Sequence, residues 1–199
     1  MSQLVGRGST FFDIGAQAGF HTLLASELVG PGGHVYAFEP LPRNLIYLNK
    51  HIALNHLSNV SVIAAAVADR SGTAGFDASP GYLTARLSTK GPLQVSTVCL
   101  DDLVSRQEVP VPYLMKIDTE GAELRVLNGA RKLLSQRRPM IFLDTHSYIG
   151  PEFKHIHREC FDFLKAMGYD VIGTGDPLAD AHELIAVSPD ARVNGQLSD

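Results

Sequence analysis

The sequence predicts an α/β protein on a doubly wound, mostly parallel sheet. The first ground is order: strand-like and helix-like stretches alternate from Thr10 onward in a chain of 199 residues, the pattern of successive βαβ units. The second is the junction after the first strand, where Asp13, Gly15 and Gly19 form D-x-G-x-x-x-G between an apolar run and a helix. Glycine there permits a sharp turn and a close approach of backbone to a nucleotide-like ligand; an ordinary strand-to-helix turn is the plainer alternative. The third lies at the other end, where strand candidates at 169–172 and 183–187 follow one another without a convincing helix. Such an ending adds an antiparallel strand to the sheet.

Each element has its own signal. After the glycine turn, Leu23, Leu24 and Leu28 give residues 20–29 a helical period, stopped by Gly30-Pro31-Gly32-Gly33. Residues 34–38 form a short apolar strand ending in Glu39-Pro40. That acid lies near the spacing of about 20 residues at which a βαβ nucleotide fold places a carboxylate for the ribose hydroxyls. Pro42 suits a helix start, and Leu45, Leu48, Ile52 and Leu57 supply an apolar side. Residues 60–67 read as one strand buried on both faces, ending at Ala68-Asp69.

Between 70 and 94 glycine, serine and proline break the periodicity, which predicts hairpins and loops, either a mobile flap over a site or a solvated insertion. A short strand at 95–98 and a helical turn at 100–104 follow. The strand at 113–117 leads into one helix through Leu124, Leu127, Ala130, Leu133 and Leu134, and another strand at 139–143 precedes an amphipathic helix over 151–167. A polar turn spans 173–180, and residues 190–199 read as a frayed tail. The boundaries give one domain, with its core at about 9–188, an insertion at 70–94 and a tail at 189–199.

Composition narrows the partners. Apolar residues make up 45%, charged ones 19%, and the net charge is −4, so nothing favours nucleic acid or an anionic membrane. No apolar run approaches the ~18 residues of a span, and the first nine residues lack a signal-peptide core. The expectation is a cytoplasmic protein acting on a small molecule, with a homo-oligomer left open. Cys99 and Cys160 lack metal-ligand spacing and read as reduced structural thiols.

Chemistry gathers after the strand at 113–117, where Lys116, Asp118, Glu120 and Glu123 fall within eight residues. So many charges at a strand end suit a polar site; Lys116 neutralised by an acid, with Glu123 supporting the helix start, is the structural alternative. The next strand delivers Asp144 and His146 to the same edge, and a histidine there is a candidate base.

The motifs together resemble the FkbM family of S-adenosylmethionine-dependent methyltransferases over about residues 10–187. The resemblance is strongest at 11–22, at Ala37-Phe38-Glu39-Pro40-Leu41-Pro42-Arg43-Asn44, and at Lys116-Ile117-Asp118-Thr119-Glu120-Gly121-Ala122-Glu123-Leu124. It implies a Rossmann-like class I methyltransferase fold of seven strands, one antiparallel. It also implies a cofactor site with Asp13, Gly15, Ala16 and Gly19 around the methionine part, Glu39 on the ribose, Pro40, Val67 and Ala68 flanking the adenine, and Asp118 near the sulfonium. The acceptor is expected to be a hydroxyl on a sugar, glycoside or natural product. The candidates for catalysis are Asp118, His146, Lys116 and Glu120, with a Mg²⁺ on Asp118 and Asp144 as a second route. Three features depart from the family pattern: Gln17 in place of asparagine, Asp144 in place of glutamate, and little chain before the first strand. An NAD-linked oxidoreductase and a non-catalytic cofactor-binding subunit are the alternatives.

Overall fold

The computed structural model of the chain describes residues 4–77, 86–87, 91–147, 151–173 and 182–189. The elements in order are β1 (Thr10–Ile14), α1 (Phe20–Val29), β2 (His34–Phe38), α2 (Pro42–Leu54), β3 (Val60–Ile63), β4 (Ala66–Val67), β5 (Gly72–Asp77) and β6 (Arg86–Leu87). Then come β7 (Leu93–Val98), α3 (Leu100–Ser105), β8 (Leu114–Ile117), α4 (Glu123–Asn128), α5 (Arg131–Gln136), β9 (Met140–Asp144), a 3₁₀ turn (Pro151–Phe153), α6 (Ile156–Ala166), β10 (Asp170–Ile172) and β11 (Glu183–Val187).

Seven strands form the main sheet in the order β10-β11-β9-β8-β1-β2-β3. All pairings are parallel except those of β11, which runs antiparallel between β9 and β10. Strand order turns around at β1, with β2 and β3 to one side and β8 and β9 to the other, the switch point where open α/β sheets bind ligands. The period-2 alternation of β1 feeds two cores. Phe12 and Ile14 pack with Val126, Leu133 and Leu164, whereas Phe11 faces Ala25 and Val29 of α1. Full burial of side chains this size contributes about 1.5–3 kcal/mol each, so the strand that carries the glycine turn is held firmly from both sides.

The expected strand at 60–67 is two strands in two sheets. β3 is the edge of the main sheet and only partly buried, and after Ile63 the chain turns, Ala65 N–H donating to the Ile63 carbonyl at 2.8 Å. β4 then pairs with β7 in a second sheet of order β4-β7-β5-β6. An apolar run carries no record of which sheet each half joins, so the change was invisible in composition. The hairpin expectation for 70–94 holds for β5, β6 and the start of β7, which pair antiparallel; residues 78–85 and 88–90 lie outside the described residues. So do residues 174–181 and 190–199, where the polar turn and the tail were expected.

The single helix expected after residue 123 is likewise two, α4 and α5, broken at Gly129 and Ala130. Any side chain on Gly129 would overlap the Ala68 carbonyl, so the break seats the helix pair against the strand end that follows β4. The helix expected over 151–167 opens with the 3₁₀ turn and becomes α-helical at Ile156. Both cysteines are buried thiols. Among the described residues no helix is long and apolar enough to cross a membrane.

Candidate active site

The turn after β1 lies across the tip of β2, with Gly15 and Ala16 N–H groups both donating to the Phe38 carbonyl at 3.1 and 3.0 Å. Gly15 has φ +87°, and a Cβ there would overlap the Asp118 carbonyl oxygen. Glycine is therefore required twice, by backbone angle and by space. From the other side the register sets Asp13 opposite Lys116, and Asp118 N–H donates to the Ile14 carbonyl at 3.0 Å. The two strand ends enclose a cavity of about 280 Å³.

Glu39 stands at the β2 end of that cavity and is 4% exposed. Its Oε2 accepts from Gln17 N–H at 2.9 Å, and its Oε1 from Leu41 N–H at 2.8 Å and Asn44 Nδ2 at 3.2 Å. Burial raises its pKa despite these hydrogen bonds. The carboxylate thus fixes two loops while lining the cavity. Beyond it the wall is apolar: Leu41, with Ala66, Val67, Phe76 and Leu87 contributed by the second sheet.

At the β8 end, Lys116 is 2% exposed and bonds Asp118 Oδ2 through Nζ at 2.9 Å, with Asp13 Oδ1 at 3.9 Å. Asp13 Oδ2 accepts from Thr22 Oγ1 at 2.6 Å. Lys116 is consequently the counter-ion of two acids, which favours the structural alternative for it. Glu123, fully buried, is the hub of the next layer. Its Oε1 accepts from Gly121 N–H at 2.9 Å, Thr119 N–H at 3.3 Å, Thr119 Oγ1 at 3.4 Å and His146 Nδ1 at 2.9 Å. It anchors the loop that carries Asp118 and Glu120, as well as opening α4.

Burial works against a charge on His146, but the Glu123 hydrogen bond and the charges of Glu123, Glu120 and Asp118 outweigh it and push the pKa up to about 9. The imidazole is then protonated at neutral pH and is no base there, contrary to the expectation from its place after β9. Its raised pKa contributes stability that is complete below the ordinary value of 6.5 and lost as pH rises through about 9. Urea unfolding should show wild-type stability falling by on the order of 2–3 kcal/mol between pH 6.5 and 10. His146→Gln should flatten that slope; an unchanged slope would remove the ion pair as its cause.

Glu120 is the contrasting acid. Burial first, then the charges of Asp118, Glu123 and Asp144, raise its pKa to about 7 against the opposing effect of His146. Its backbone is left-handed at φ +52°, a strain that non-glycine residues carry mainly at functional loops.

Of the residues expected at the cofactor, Gly15, Ala16, Glu39, Pro40, Val67 and Asp118 line the cavity, as do Lys116 and Glu120. Asp13, Gly19, Ala68, Asp144 and His146 do not. Asp13 lies beneath the turn, and Gly19 faces Leu48 of α2, whose Cδ1 would be 2.6 Å from a Cβ. Ala68 is directed by its N–H to the Val98 carbonyl at 2.9 Å. Sequence reasoning missed Gln17, Phe20, His21 and Asn44, all on the wall. The available signal for His21 was its place in the first turn of the helix after the glycine turn, since helical side chains lean back toward the N-terminus.

The metal expectation shifts as well. Ligand atoms of Asp118, Glu120 and His146 lie within 4.8 Å of one another, and Asp144 is not part of that group. That group mixes two carboxylates with an imidazole nitrogen, whereas Mg²⁺ takes oxygen ligands.

Strand order, with β11 antiparallel between β9 and β10, is that of the class I methyltransferase fold. The sequence matches the methyltransferase FkbM domain over residues 13–171. It is 30% identical over 143 residues to the hexuronic acid methyltransferase AglP of Haloferax volcanii, covering 71% of this chain and 57% of that protein. It is 28% identical over 215 residues to the 31-O-demethyl-FK506 methyltransferase FkbM of Streptomyces tacrolimicus, covering 91% and 80%. The crystal structure of a methyltransferase FkbM from Methylobacillus flagellatus superposes with a TM-score of 0.60 at 19% identity, over 90% of this chain and 43% of that one. The chain belongs to the FkbM methyltransferase family, whose methyl donor is S-adenosylmethionine. The oxidoreductase alternative is thereby set aside.

The cavity suits that donor. A carboxylate with its neighbouring amide at one end fits a ribose diol, the apolar wall fits a flat base, and the acid after β8 fits an ammonium group. Glu39→Ala should weaken S-adenosylhomocysteine binding by about 1.5–3 kcal/mol, the range for hydrogen bonds to a charged group. It should also lower the melting temperature, because Gln17 and Leu41 lose their acceptor. Unchanged affinity by calorimetry would detach Glu39 from the ribose.

Proposed function

We propose that the protein O-methylates a hydroxyl group of a small acceptor, a sugar, glycoside or natural product, with Glu120 receiving the hydroxyl proton. The observation that carries this reading is Glu120 itself: a carboxylate on the cavity wall, in a strained backbone conformation, with a pKa raised to about 7. A base of that pKa is half ionised near neutrality, where proton transfer is most effective. The names of the two relatives, one for a hexuronic acid and one for a demethylated oxygen, support an oxygen acceptor.

Bound in the cavity, S-adenosylmethionine supplies a methyl group already activated by its sulfonium. Asp118 is held by Lys116 at Oδ2, by His146 Nε2 at 3.5 Å from Oδ1 and by its own N–H to Ile14, so its carboxylate keeps one direction. The Glu123 hub fixes the loop between Asp118 and Glu120, which positions the base. With the donor held there, the acceptor oxygen would take the methyl group as the thioether departs, and Glu120 would receive the hydroxyl proton.

The test is incubation with methyl-labelled S-adenosylmethionine and a panel of uronic acids, neutral glycosides and hydroxylated macrolides. Label in an alkali-stable ether supports the proposal. An alkali-labile ester on a uronic acid would move the reaction to a carboxylate acceptor, and S-adenosylhomocysteine binding without transfer to any of them would favour a non-catalytic subunit.

A further inference from the structure

We propose that His21 holds the α-carboxylate of the cofactor's methionine part, a role that rests on the cavity being the S-adenosylmethionine site and not on the acceptor. His21 lies in the first turn of α1 and lines the cavity beside Asp118 and Lys116. It is half-buried, its ring meets that of Phe20 edge-on at 5.1 Å between centroids, and it makes no hydrogen bond among the described residues.

A methionine end brings two opposite charges into the same small space, and each requires a partner. Asp118 answers the ammonium. Lys116 is the obvious cation for the carboxylate, but it is buried at 2% exposure and already bonded to Asp118 at 2.9 Å, so its charge is spent inside the wall. His21 is the donor on the cavity surface next to that pair. The start of α1 supports it: no side chain caps the helix, no acid occupies its first turn, and the first helical bond runs from Leu23 N–H to the Gly19 carbonyl at 2.9 Å. The preceding N–H groups of that turn thus carry no intrahelical bond, and the positive end of the helix favours an anion.

The charged groups facing His21 are Asp13 from β1, with Lys116 and Asp118 from the end of β8. Half-burial and the Lys116 charge push its pKa down against the two acids, so the ring meets the ligand neutral and as an N–H donor.

Calorimetry with two ligands tests this: S-adenosylhomocysteine, and 5′-methylthioadenosine, which keeps the nucleoside and the thioether but lacks the amino acid. His21→Ala should lose about tenfold or more in affinity for S-adenosylhomocysteine, the value of a charged hydrogen bond. Its affinity for methylthioadenosine should stay at the wild-type value. His21→Gln, which retains an N–H donor, should recover most of the loss. Because the readout is a ratio of two affinities in one variant, a general loosening of the fold cancels. Equal loss for both ligands, or no loss for S-adenosylhomocysteine, overturns the assignment. A wild-type protein that binds neither ligand overturns the cofactor site along with it.

Discussion

Gly15→Ala is expected to abolish measurable binding of S-adenosylhomocysteine and to lower the melting temperature in the same variant. A left-handed backbone costs an L-residue about 1–2 kcal/mol, and here the added methyl also overlaps the Asp118 carbonyl, which is backbone and fixed by the β1–β8 register. The turn must open or β8 must shift, and either movement disturbs the cavity where its two strand ends meet. A total of about 3 kcal/mol corresponds to roughly 6–12 °C for a domain of this size. Differential scanning calorimetry checks the first part and titration with S-adenosylhomocysteine the second. Wild-type affinity in Gly15→Ala would mean that the ligand does not depend on this turn.

Glu120→Gln should lose about 10²–10⁴-fold in turnover, the general-base range, while keeping its affinity for S-adenosylhomocysteine. In the wild type kcat/KM should rise with pH through about 7 as Glu120 loses its proton, and in the variant that limb should vanish. Stability supplies the control. A carboxyl whose folded pKa is raised from 4.5 to about 7 contributes stability that is complete below 4.5 and gone above 7. Glutamine stays neutral, so Glu120→Gln should be at least as stable as the wild type at pH 8. Full activity in this variant would take the proton-accepting role away from Glu120 and leave Asp118 as the remaining carboxylate beside it on the cavity wall.

The path of the main sheet was legible because every parallel strand announces itself with a short apolar run between helical stretches, and the ribose acid because Glu39 ends such a run. Gly15 was legible for the same reason: a turn between a strand and a helix at the sheet's switch point has few other solutions. What could not be read were choices made by partners distant in sequence. Nothing at Ile63 says that the next two residues will pair with β7, and nothing at Gly129 says that Ala68 will lie against it. The histidines make the point most clearly. His146 has the better address, just past a strand end, but Glu123 takes its Nδ1 and holds it protonated. His21, on a helix and outside every strand-end argument, faces the cavity because the first turn of α1 leans back over the glycine loop.

The pairing of β1 with β8 has a consequence for synthesis. Phe11 meets Leu114, and Ile14 meets Ile117, so on the ribosome the central strand emerges long before its second neighbour. Through that interval β1 is covered on the β2 side and open on the other, with an unpaired row of N–H and C=O groups next to the apolar Phe11, Phe12 and Ile14. Such an edge recruits other chains, and distant parallel pairing closes slowly. Nascent chains that stall before residue 114 therefore keep this edge open, and the cavity cannot be completed until they pass that point, since Lys116, Asp118, Thr119, Glu120 and Ala122 of its wall arrive with β8 and the loop after it.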